Sequence, residues 1–145
     1  MEKIDLMKLI DDSLIPLGFK KKGNYWVLNS KKIVKIVELQ RSQFSEAFYL
    51  NFGFNIASLP LTTKWHLHFG IRTFDDETKT DWLDLTNSVP NEKRKAEITT
   101  ILKEKLVPQL ESVSTEDDLL RELKALPNLN SVPLNVKEYF NFDHD

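Results

Sequence analysis

The stretch "EAFYLNFGFNI", Glu46 to Ile56, decides the fold. Phe48, Leu50, Phe52, Phe54 and Ile56 fall on one side of a period-2 alternation, and Ala47, Tyr49, Asn51, Gly53 and Asn55 on the other. A helix would scatter these five apolar residues around its circumference. A strand stacks them on one face, so the segment is predicted as a strand with one buried face and one polar face. On the N-terminal side, Tyr25 to Leu28 and Lys32 to Gln40 are rich in aromatic and β-branched residues and are joined through Asn29-Ser30. They read as a hairpin, with Ile33 to Leu39 apolar on both faces and therefore covered on both sides in part. On the C-terminal side, "KWHLHFGIRT" (Lys64 to Thr73) alternates again. Trp65, Leu67, Phe69 and Ile71 are set against Lys64, His66, His68, Gly70 and Arg72. "WLDL" (Trp82 to Leu85) is a candidate short edge strand.

Helical periodicity brackets these strands. Leu6, Met7, Ile10 and Leu14 mark a helix over residues 3 to 15, ended by Pro16 and Gly18. Ile98, Ile101, Leu102, Leu106 and Leu110 mark another from Asn91 to Glu111, with a kink expected at Pro108. "STEDDLLRELKAL" is a third, with Ser114 or Thr115 as N-cap and acids in its first turn. The expected fold is α+β. It is an antiparallel meander sheet of four to five strands, with an N-terminal helix and two or more C-terminal helices packed on one face. Residues 1 to 145 are expected to form a single domain, with the tail from about 127 docked on it.

Composition narrows the function. The chain has 145 residues, 41% hydrophobic and 29% charged, which is the balance of a soluble globular protein. It has no cysteine, which excludes disulfides and cysteine-ligated zinc. The net charge of −2 provides no global field for nucleic acid. No apolar run reaches membrane-spanning length, and the start lacks the pattern of a signal peptide. A cytoplasmic protein without a membrane or nucleic-acid partner is expected. Lys20, Lys21, Lys22, Lys31, Lys32 and Lys35 lie beside Tyr25 and Trp26, a mixture that suits single-stranded nucleic acid. In an acidic chain they read better as guards against edge-to-edge association, so a monomer or weak homodimer is expected.

"PLGFKKKGNYWV" (Pro16 to Val27) and "IVELQRSQFSEAFYLNFGF" (Ile36 to Phe54) together resemble the bacterial domain-of-unknown-function 4304 family. Gly18-Phe19-Lys20, Leu39-Gln40-Arg41-Ser42, Asn51-Phe52-Gly53 and Ile71-Arg72 carry the likeness, joined by "LVPQLESVSTEDDLL" and "KEYF" further on. The resemblance implies the fold and a bacterial cytosolic origin, and supplies no activity, cofactor or catalytic residue.

The candidate site lies on the polar side of the two alternating segments. Arg72, His66, His68, Tyr49, Asn51 and Asn55 share one face if those strands pair directly, with Gly53 and Gly70 leaving room among them. Arginine beside amides, a phenol and imidazoles suits an anion or another polar ligand. His66 and His68, two residues apart on a strand, could close on one metal. A third ligand would come from Asp75, Asp76, Glu77, Asp84 or His144, and no spacing singles one out, so neither metal nor cofactor is expected. There is no nucleophile elbow, P-loop or dinucleotide fingerprint. The favoured reading is a non-catalytic binding module for a protein or peptide, or for a small anionic ligand. The alternative is a small metal-dependent or hydrolytic enzyme using His66, His68 and Arg72.

Overall fold

The computed structural model describes residues 1–43, 46–59, 69–72, 80–86, 88–126, 132 and 134–141, with the backbone alone at 69–72, 80 and 81. Helix α1 (Lys3–Leu14) buries Leu6, Ile10 and Leu14 and ends in a 3₁₀ turn, Ile15–Leu17. Gly18 closes that turn at φ 100°, a left-handed conformation open to glycine at little cost. The sheet follows as β1 (Lys20–Lys22), β2 (Tyr25–Leu28), β3 (Ile33–Arg41), β4 (Phe48–Ile56) and β5 (Phe69–Arg72). Their spatial order is their chain order, and every neighbouring pair is antiparallel. The meander expected from the alternation is therefore the observed topology.

Two details differ from the expectation. The fifth strand is not "WLDL". Thr80–Leu83 form a 3₁₀ turn, and Asp84 makes only a single bridge to Ala47. The fifth strand is instead Lys20–Lys22, turned onto β2 through Gly23 at φ 62° and Asn24. Three consecutive lysines have no apolar alternation, so pattern reading passes over them. They pair because the turn delivers them to the edge of β2.

After the sheet come α2 (Asn91–Ile101), a π-helical turn (Leu102–Leu106) and α3 (Val107–Glu111), running on as one helix. The expected irregularity at Pro108 takes the form of this π turn. Proline has no N–H to donate, and the turn before it widens so that Val107 N–H bonds back to Leu102. Helix α4 (Glu116–Lys124) is capped by Thr115, whose hydroxyl accepts the Asp118 N–H at 3.1 Å while Asp118 accepts the Thr115 N–H. Helix α5 (Leu134–Tyr139) buries Val136.

The core lies between one face of the sheet and the helices. Phe48, Leu50, Phe52, Phe54 and Ile56 are all at most 3% exposed, packed with Trp26, Val37 and Leu39 and with Leu6, Ile10, Ile98, Leu102 and Leu106. Trp26 Nε1 donates to Asp11 Oδ1 at 2.7 Å, tying α1 to the sheet. Pairing of Phe54 with Phe69 and Phe52 with Ile71 places positions 69 and 71 on this same face. Trp65 and Leu67 lie outside the described residues.

Candidate functional site

The opposite face is the candidate site, and strand register builds it in rows. Lys22, Tyr25, Glu38, Asn51 and Arg72 are successive cross-strand partners from one edge of the sheet to the other. Lys20, Val27, Ile36, Gly53 and Gly70 form the next row, and Gln40 pairs with Tyr49 on the other side. The two strands do pair directly, the condition for the shared face, and their register sets Asn51 opposite Arg72 and Gly53 opposite Gly70. Arg72 is placed by its backbone alone. His66 and His68 lie outside the described residues.

Along the central row the chemistry is continuous. The Tyr25 phenol donates to Glu38. Asn51 Nδ2 donates to Glu38 Oε1 at 3.0 Å and to Gln40 Oε1 at 2.9 Å. Burial, with the neighbouring Glu38 carboxylate holding the proton on the phenol, pushes the Tyr25 pKa up to about 12. Because both amide hydrogens of Asn51 are directed at acceptors, its Oδ1 is buried without a hydrogen-bond partner. A buried amide oxygen left unmade costs about 1–3 kcal/mol.

The face is not uniformly wet. Tyr49 and Asn51 are half-buried, Gly53 is buried, and Asn55 is only 7% exposed. Val27, Val34 and Ile36 are also half-buried, which gives β3 the two-sided apolar character read from its sequence. The result is a surface of partly sheltered aliphatic, phenolic and amide groups.

Sequence reasoning missed Tyr25, Glu38 and Gln40 as parts of this face. Their signal was register: once β4 pairs with β3 about Val37 and Phe52, Glu38 must meet Asn51 and Gln40 must meet Tyr49. It also missed Arg94, which is 1% exposed. Arg94 sits four residues before Ile98 on the stripe that continues through Leu102, Leu106 and Leu110. Its guanidinium donates to the Trp82 carbonyl at 2.6 Å, and burial lowers its pKa against the pull of Asp84. Asp84 in turn is held below the usual carboxylate range by the hydroxyl and N–H of Thr86. This assembly anchors the 3₁₀ turn to α2.

The basic run does not form one patch. Lys20 and Lys22 project from the open face. Lys21 lies on the helix side, 3.4 Å from Asp11, and Lys35 is half-buried on that side opposite Phe54. Two surface clefts of about 270 and 260 Å³ lie away from the open face. The first is floored by Phe48 and Leu85 and rimmed by Lys3, Arg41 and Glu46, with Arg41 already paired to Glu46. The second lies between α1 and α2, among Asp5, Lys8, Asp12 and Lys95. Among the described residues no three His, Cys, Asp or Glu side chains cluster as a metal would require, and no helix is long and apolar enough to cross a membrane.

A family model described as "Domain of unknown function (DUF4304)" matches residues 10–112, more than half of the chain and all five strands. No curated protein and no solved structure matches.

Proposed function

We propose, for a chain that belongs to the DUF4304 family of domains of unknown function, a role as a non-catalytic binding module that engages a protein or peptide through its open sheet face. The observation that supports this most is the bonded row Tyr25–Glu38–Asn51–Gln40. It fixes polar groups by hydrogen bonds on the face of the sheet opposite the core, and it leaves one amide oxygen without a partner. Half-buried aliphatic side chains beside a phenol and amides are the mixture that protein interfaces favour. The module is read as acting in the bacterial cytoplasm, as a monomer or weak homodimer.

A second reading rests on the pairing of Asn51 with Arg72 beside that of Gly53 with Gly70. A small anion held there would bind more tightly as pH falls from about 8 to about 6 if His66 and His68 contribute, and binding would vanish in Arg72→Ala. Calorimetry with inorganic phosphate at the two pH values tests it, and no heat of binding by the wild type removes it. The enzymatic alternative depends on His66, His68 and Arg72 together. Stoichiometric zinc, iron or manganese in the purified protein would favour it over a binding module.

The binding reading is tested by photo-crosslinking in native cells. A crosslinking residue at Gln40 or Tyr49 should capture one discrete protein, and the same residue at Lys103, exposed on the helix side, should not. Identical patterns from both sides would refute it.

A further inference from the structure

We infer that the occupant of the open face is an acidic polypeptide segment laid across the strands along the row from Lys22 to Arg72. The inference rests on the binding reading above and adds the chemistry of the partner. Although the chain carries a net charge of −2, the described positions on this face are net basic. Lys20 and Lys22 are exposed on it at one edge, and Arg72 stands on it by register at β5. The acid at the centre of the row, Glu38, is already engaged by two donors, the phenol of Tyr25 and the amide of Asn51. Those donors are neutral and leave the carboxylate its charge, but the three cationic positions at the two ends of the row outnumber it, and the complementary ligand is anionic at both ends. Lys22 and Arg72 are four strand steps apart, about 19 Å at ~4.8 Å per step. An extended peptide covers that distance in about six residues at ~3.3 Å each. Two acidic side chains separated by about six residues would reach both ends, while the segment between them lies over Tyr25 and Asn51.

The test uses the full chain and synthetic seven-residue peptides with glutamate at both ends, followed by amide chemical-shift mapping. We expect shifts at Tyr25, Glu38 and Asn51. The double variant Lys20→Glu/Lys22→Glu should weaken binding at least tenfold. The double variant Lys31→Glu/Lys32→Glu carries the same change of charge on the neighbouring loop and should not. Added salt of about 0.3 M should weaken binding several-fold. Melting curves of both variants confirm that each is folded. Equal binding of a peptide with glutamine at both ends would overturn the acidic partner and leave the binding face in place. Tighter binding of oligothymidylate would overturn it in favour of nucleic acid. If no peptide moves these amides, the inference fails, while the crosslinking experiment, which does not depend on charge, still decides the binding reading.

Discussion

Phe52 and Asn51 are chain neighbours on opposite faces of β4, so substitutions at the two should differ sharply in cost. Phe52 is 1% exposed and meets Phe54 edge-to-face with ring centroids 6.1 Å apart. Phe52→Ala removes a buried ring and leaves a cavity in a core that cannot close over it, a loss of about 3–5 kcal/mol. Asn51→Leu removes one half-buried hydrogen bond to a carboxylate and one exposed hydrogen bond to a neutral amide, together worth about 2–3 kcal/mol. It also removes the unpartnered Oδ1, which offsets about 1 kcal/mol of that, for a net cost of about 1–2 kcal/mol. Urea unfolding followed by tryptophan fluorescence separates the two. With a slope of about 2 kcal/mol per molar, Phe52→Ala should lower the midpoint by about 1.5–2.5 M and Asn51→Leu by less than about 1 M. If Asn51→Leu proved as damaging as Phe52→Ala, the open face would be a second core and its reading as a binding surface would fail.

Other consequences are as direct. The Tyr25 pKa of about 12 lies above its ordinary value of 10, so Tyr25 contributes stability that is present below pH 10 and lost as pH rises through about 12. Ultraviolet titration of the phenolate should show one tyrosine ionising near 12, and Glu38→Gln should bring it down. Arg94→Met should cost about 1–3 kcal/mol, measured by urea unfolding, by leaving the Trp82 carbonyl unpaired. Light scattering should give a monomer or a weak dimer. β2 is flanked by β1 and β3, so a tight dimer joined through Tyr25–Leu28 would require the sheet to come apart.

Much of this fold was legible because alternation and helical spacing are direct records of burial. The five apolar residues of β4 named their face, and the stripe from Ile98 to Leu110 named that of the long helix. What escaped was set by pairing rather than pattern. Lys20–Lys22 carry no apolar alternation and become a strand only because Gly23 turns them onto β2. Arg94 was hidden because charge normally marks a wet position, and only its place four residues ahead of Ile98 betrays it. Of the candidate site, Asn51, Tyr49, Asn55 and Arg72 were placed on one face from sequence, and register agrees. Glu38 and Tyr25, which bond to one another on that face, belong to strands whose two-sided apolar character obscured their polar members.

The protein captured by crosslinking at Gln40 can be titrated by calorimetry against three forms of this chain, wild type, Asn51→Leu and Lys103→Ala. A binding role for the open face predicts that Asn51→Leu weakens binding at least tenfold and that Lys103→Ala, exposed on the helix side, leaves it unchanged. Equal affinity for all three would contradict it.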